Sequence, residues 1–231
     1  MKIIDPKIEL IDRNKENLPI NHYDTFLKIP SNECDIMNDI RDLGLDKYIV
    51  VYKDKFNYVV IPNNFVKKIC TKYIRNYKIN YENYIDIFKY TKRKTFKITC
   101  SNFFRTNLFI TNRYLIDSIS TIAATSIPLD KTICDSPLDE LEFVFFSPID
   151  NTSLNILKHS EEKFYKNVVN GNTIIDSTSC LPFAIRSEFY ITGWVSDIIK
   201  IFITLESSNK DINSKKELEF IMDNFYKIDI I

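Results

Sequence analysis

Six residues could carry polar chemistry in this chain: Thr106, Asn112, Arg113, Asp117 and Ser120 within one stretch, and Arg186 further along. A guanidinium presents five N–H donors in a rigid fork that matches carboxylate and phosphate oxygens. Hydroxyls and an amide beside it would complete a small anion site. Thr106, Arg113, Asp117 and Ser120 are spaced seven, four and three apart, which places them along one side of a helix. Arg113 and Asp117, at i and i+4, equally form an ion pair that closes the stripe on itself. The stripe therefore either lines a polar crevice or satisfies itself internally. Arg186 precedes an aromatic run, where it can reach a ligand anion or pair with Glu188.

Other chemistry is thin. His22 and His159 stand apart, and no serine or cysteine spacing completes a triad with either. Asp135, Asp139, Glu140 and Glu142 crowd a loop that reads as a solvated turn and not as a metal site. The five cysteines, Cys34, Cys70, Cys100, Cys134 and Cys180, include no CxxC pair, so a disulfide framework and a zinc site are both unsupported and no metal is expected. Gly44, Gly171 and Gly193 are isolated, so there is no glycine-rich phosphate loop.

These residues need a scaffold. The chain has 231 residues, 45% hydrophobic and 27% charged, enough for a sizeable core in one domain spanning 1–231. Basic and acidic residues balance at 31 each, so charge gives no bias toward nucleic acid or membrane, and neither partner is expected. No stretch approaches the length of a membrane span and the N-terminal segment has no apolar core, which predicts a soluble intracellular protein.

Strands are expected at Lys7–Asp12, Tyr48–Tyr52, Asn57–Ile61, Lys94–Cys100, Leu141–Phe146 and Glu188–Trp194, with the second and third forming a hairpin. Helices are expected at Asn32–Leu43, Asn64–Tyr77, Ser153–Val169, Val195–Leu205 and Lys215–Tyr226, the last with a capping box from Ser214 to Glu217. Asn80–Tyr90 is open between helix and irregular structure. The longest helical period covers Asn102–Ser126, with Phe104, Leu108, Leu115, Ile119 and Ile122 on the apolar side, and predicts one buried central helix. The fold class is α+β, an antiparallel or mixed sheet packed with helices.

The order of a helix, an apolar strand ending in Ser-Pro, a helix, Leu-Pro, an aromatic strand and a helix resembles the flavin-dependent thymidylate synthases, known as ThyX. The similarity lies in Thr95–Ser101, Phe103–Phe109, Leu141–Pro148 and Leu181–Leu205, and is best over 95–206. The resemblance implies a ThyX-like single domain, a homo-oligomer with the family's tetramer as its form, and a nucleotide and FAD as ligands. The family signature is Arg-His-Arg, then Ser, Asn, Ser and Arg-Tyr at fixed spacing. Here its positions hold Ile110, Thr111, Asn112, Leu115, Asp117, Ser120, Ile122 and Ala123, so only Ser120 is retained. Family arginines elsewhere fall on Thr178, Ser196 and near Leu205. Each replacement removes a guanidinium clamp worth about 1.5–3 kcal/mol. The expectation is a catalytically degenerate ThyX-like protein with a structural, regulatory or interaction role and no cofactor. Two alternatives are a nucleotide-modifying enzyme with a rebuilt site, which would keep FAD, and an unrelated α+β interaction module. Thr106, Asn112, Arg113, Asp117, Ser120 and Arg186 are the residues of any residual site.

Overall fold

A computed structural model describes residues 1–11, 24–42, 49–66, 71–84, 93–112, 120–125, 141–144, 149–208 and 212–228. Its largest sheet is antiparallel. Strands β2 (Lys7–Ile11), β6 (Arg93–Ser101), β7 (Ser120–Thr125) and β9 (Arg186–Trp194) lie in the order β2-β6-β9-β7. Alternation in the sequence explains the two faces. In register, Ile98 lies between Ile8 and Phe189, and Phe96 between Leu10 and Ile191, so one face is apolar. Thr95, Lys97, Thr99, Glu188 and Thr192 fall on the other, where the buried Thr95 and Thr192 hydroxyls bond at 2.8 Å.

Three helices share the apolar core: α4 (Asn102–Thr111), α7 (Val195–Ser208) and α8 (Ile212–Lys227). They contribute Phe104 and Leu108, then Ile198, Ile201, Phe202 and Leu205, then Leu218, Ile221 and Phe225. Phe225 meets Phe96 at 5.0 Å and Phe202 at 5.8 Å between ring centroids, so it joins helix to sheet. Burial of each such aromatic stabilises by roughly 1.5–3 kcal/mol.

A second antiparallel sheet has the order β3-β5-β4, with β3 at Asp24–Pro30, β4 at Ile49–Lys53 and β5 at Phe56–Pro62. The β4–β5 hairpin turns at Asp54 and Lys55, both with positive φ, as a tight two-residue turn requires. Helix α1 (Cys34–Asp42) seats Ile36, Met37 and Ile40 on Leu27, Ile29, Val59 and Ile61. The predicted helix over Asn64–Tyr77 corresponds to α2 (Asn63–Val66) and α3 (Thr71–Tyr77), with 67–70 outside the described residues.

A short parallel pair, β1 (Lys2–Ile4) with β8 (Glu142–Val144), supports α5 (Asn151–Val169) through Phe143, Leu157 and Phe164. Asp150 caps α5 by accepting the Ser153 N–H, and Gly171 ends it with φ +88°. A further turn of helix, α6 (Ile174–Ser177), follows. The architecture is α+β, with helices packed on antiparallel sheets and one parallel pair. No helix among the described residues is long and apolar enough to cross a membrane.

Two expectations fail. The helix predicted over Asn102–Ser126 ends at Thr111, where Asn112 caps it, and Ser120–Thr125 is a strand paired antiparallel with β9. Its β-branched Thr121, Ile122 and Thr125 suit a strand, and the open edge of β9 supplies the backbone partners. The Ser214–Glu217 capping box is also absent. Helix α8 begins at Ile212, so Ser214 falls inside the first turn, and Glu217 bonds elsewhere.

One ion pair ties the two antiparallel sheets together. Arg93, at the start of β6, donates from Nη2 to Asp24 Oδ1 at 2.6 Å and from Nε to Asp24 Oδ2 at 3.2 Å. Both side chains are fully buried. The Arg93 guanidinium also lies 4.6 Å from the centre of the Trp194 ring, which faces it in register on β9. Removing one partner strands a buried charge, whereas an apolar pair of similar volume leaves none. Asp24→Ala is expected to cost about 3–5 kcal/mol in urea unfolding, and the double variant Asp24→Leu/Arg93→Met to recover most of that loss. Equal losses in the single and double variants would show that the charge is not the issue.

Candidate functional site

The junction of β6 with α4 forms a cleft of about 500 Å³, lined by Asn102, Arg105, Thr178, Ser179, Phe183, Arg186 and Ser187, with Ile175, Leu181, Pro182 and Ile185. The segment after α6 forms the far wall. Its Leu181-Pro182 turn is closed by bonds from Leu181 N to Thr178 O and from Ile185 N to Pro182 O, both 3.0 Å. This wall is bonded directly to the start of α4. Asn102 N donates to Ile185 O at 2.9 Å and Phe103 N to Phe183 O at 3.0 Å. Phe104 N donates to the Ser101 hydroxyl, the helix cap, at 3.0 Å. The first N–H groups of α4 are thereby consumed, so the helix terminus does not offer them to an anion. Side chains must supply the donors.

Arg105 does so. It is half-buried and donates from Nη1 to the Ser187 hydroxyl at 3.2 Å. Ser187 is itself buried on β9 opposite Cys100, so it fixes the guanidinium from below. Among the described residues no carboxylate pairs with Arg105. Its charge therefore remains available at the cleft.

Arg186 is different. It bonds both Glu142 and Glu188, in a row that runs Lys2, Glu142, Arg186, Glu188, Lys97. Burial presses the Arg186 pKa down, but Glu188 and Glu142 overcome it and leave it above the ordinary value. Burial likewise pushes the two carboxyls up, while Lys2 and Arg186 for Glu142, and Arg186 and Lys97 for Glu188, hold both below the usual range. Arg186 thus braces the wall as part of a charge row.

The remaining expected residues do not meet at one place. Thr106 donates its hydroxyl to Asn102 O at 2.7 Å, back into its own helix. Asn112 is buried at the opposite end of α4, about 10 Å along the helix from Arg105, the nearer of the helix's two cleft residues. Its Nδ2 donates to Leu108 O at 2.9 Å and Ile201 O at 3.3 Å, which joins α4 to α7, while its Oδ1 meets no donor among the described residues. Arg113 and Asp117 lie outside the described residues, as do His22, Asp135, Asp139 and Glu140. Ser120 opens β7 opposite Thr192, so it shares no helix face with Thr106. Of the four that are described, Arg186 alone lines the cleft.

Arg105, Ser187 and Phe183 stand in no motif of the sequence, and Glu217 is expected there only as part of a helix cap. Arg105 interrupts the apolar run Phe103–Phe109 and was hidden by that run's hydrophobic period. Ser187 carries no local signal, and the local signal of Glu217 points to Ser214, because their partners are distant in the chain.

Glu217 sits behind the cleft. Its Oε1 accepts the Ser101 N–H at 2.6 Å and its Oε2 the Ser101 hydroxyl at 2.7 Å. Burial pushes its carboxyl up to about 7, against the pull of those two bonds. Among the described residues no group of three His, Cys, Asp or Glu side chains could hold a metal ion.

No protein-family model and no curated protein matches the sequence. Among solved structures, the chain is similar to the UMP/dUMP methylase PolB from Streptomyces cacaoi. Against the crystal structure bound with 5-Br UMP the identity is 9% and the TM-score 0.47, over 98% of this chain and 90% of that one. Against the structure bound with 5-Br dUMP the values are 10% and 0.45, with the same coverage. Likeness at this level assigns neither ligand nor reaction.

The folded pKa of Glu217, about 7, lies above its ordinary 4.5. Between these values the native state binds more protons than the unfolded state, so stability falls as pH rises through that window. The contribution is complete below about pH 4.5 and gone above about pH 7, a difference of about 3 kcal/mol. In urea melts at several pH values, Glu217→Gln is expected to flatten this part of the profile. A profile unchanged by the substitution would assign the slope to other groups.

Proposed function

We propose that this chain is a ThyX-like binding protein without the family's reaction, whose cleft holds a small molecule through one anionic group. Arg105 carries the reading. Its guanidinium stands in a cleft of ligand size, anchored to a buried hydroxyl, with no carboxylate partner among the described residues. Half-buried and without a carboxylate partner among the described residues, it favours one phosphoryl or carboxylate group. Thr178, Ser179 and Asn102 add neutral polar groups around it.

The rim suits a ring. Phe183 is 63% exposed and Phe103 37%, and their rings meet edge to face at 6.3 Å. An apolar aromatic rim over a cationic floor fits a nucleoside monophosphate. A dinucleotide pyrophosphate such as that of FAD needs several converging cations, and Arg186 is already held by two carboxylates. Among the described residues the cleft lining includes no imidazole, thiol or carboxylate to move a proton, which favours binding over catalysis. The loss of all but Ser120 of the family signature supports the same reading.

Calorimetric titration tests it. dUMP and inorganic phosphate are expected to bind, dUMP more tightly, and the purified protein to show no flavin absorbance band. Arg105→Ala should weaken dUMP binding by roughly 10- to 100-fold, equivalent to about 1.5–3 kcal/mol. Unchanged affinity in Arg105→Ala would overturn the assignment of the cleft, and a yellow protein would overturn the loss of the flavin.

A further inference from the structure

The polar side chains of the cleft differ in what they offer a ligand. A hydroxyl has one proton to give and two lone pairs with which to receive. On the far wall, Thr178 gives its proton to Ile175 O at 2.7 Å and Ser179 gives its own to Asp176 O at 2.8 Å. A carbonyl oxygen only accepts, so the direction of both bonds is fixed. Each hydroxyl is left with lone pairs to present. The floor is the reverse. Arg105 only donates, and the Ser187 oxygen that receives it keeps a proton that no acceptor among the described residues takes. Of the other polar lining residues, Asn102 carries donor and acceptor in one amide, and Arg186 is held by Glu142 and Glu188.

Backbone bonds fix the two sides relative to each other. Along the wall, Leu181 N reaches Thr178 O and Ile185 N reaches Pro182 O, both at 3.0 Å. The wall is then tied to α4, by Asn102 N to Ile185 O at 2.9 Å and by Phe103 N to Phe183 O at 3.0 Å. Acceptors and donors thus line one cleft of about 500 Å³, a volume that a single small molecule fills. Phe183 belongs to the acceptor wall and is exposed, with the Phe103 ring edge to face against it. A flat ring resting on this aromatic rim brings its edge to the hydroxyls of the same wall.

We propose that Thr178 and Ser179 are specificity-determining residues, which select a ligand ring that carries an N–H on the edge away from its anionic group. The proposal rests on the anion-binding reading above. A ring edge made of lone pairs alone would face lone pairs on the wall, and both would lose water with no bond in exchange. A ring N–H meets an oxygen that is a better acceptor for the proton it already donates. The cleft is therefore polarised, with donors for the anion on its floor and acceptors for the ring on its far wall.

The test uses the full chain, dUMP and N3-methyl-dUMP in calorimetric titrations. Methylation removes the ring N–H and leaves the phosphate unaltered. The wild type is expected to bind dUMP about fivefold more tightly than the methyl derivative, the equivalent of one neutral hydrogen bond. In Thr178→Val/Ser179→Ala this ratio should fall to about 1. Valine keeps the shape of threonine, so a preference caused by crowding of the methyl group would survive the substitution and overturn the proposal. A ratio near 1 in the wild type overturns it as well, whether or not the variant folds. In both cases dUMP affinity that still depends on Arg105 leaves the anion site standing. If dUMP does not bind, or binds Arg105→Ala as it binds the wild type, the anion-binding reading fails and the selectivity with it.

Discussion

The fold depends on a charge pair that water cannot reach. Asp24 opens one sheet and Arg93 opens a strand of the other, and both are completely buried. A lone buried charge costs several kcal/mol, so each charge is tolerated at its place because the other stands opposite it. Hydrophobic contacts alone would tolerate sliding between the two sheets. A bidentate guanidinium–carboxylate pair, with the cation set over Trp194, allows far less. The register of β6 follows from this anchor at its first residue, and β6 runs directly from Arg93 to Ser101, where the cleft begins.

The same electrostatic rule separates the arginines. Arg93 and Arg186 are each paired to carboxylates, the first inside the protein and the second along the polar face of the sheet. Arg105 is held by a neutral hydroxyl. A partly buried cation without a carboxylate partner gives up hydration for little return. Such a group stabilises the fold less than it prepares the protein for an anion, which makes Arg105 the functional candidate and the other two structural. Glu217 is a second case of partial compensation. Two hydrogen bonds from Ser101 stabilise its charge, but burial outweighs them. Both imperfectly compensated groups converge on the first turn of α4.

Much of the scaffold was legible in the chain. The hairpin at Asp54-Lys55, the helix ending at Gly171, and the strand and helix meeting at Trp194-Val195 follow from turn residues and hydrophobic period that act within a few positions. The central stretch was misread because its apolar spacing satisfies a helix and its β-branched residues satisfy a strand. Asn112 ends α4 and β9 offers an edge to Ser120–Thr125, and the second fact is invisible from the stretch itself. The expected polar side Thr106, Arg113, Asp117, Ser120 depended on a single continuous helix. With the helix ended at Thr111, Thr106 and Ser120 no longer share a face.

By itself, the sequence determined the α+β class and the places of many of its helices and strands, since these are written in neighbouring residues, while β1, β3 and β7 were not legible in it. Only the tertiary structure decided which polar groups are satisfied. Glu217 could be read as the end of a local capping box; it instead bonds Ser101, 116 residues away. Arg186 could be read as a ligand-binding cation; it is neutralised by Glu188 and by Glu142, the latter 44 residues away. Arg105 lies in an apolar run and emerges as a half-buried cation that no carboxylate pairs with among the described residues. Charge compensation is a property of spatial neighbours, and in this chain those neighbours are supplied by strand pairing between distant segments.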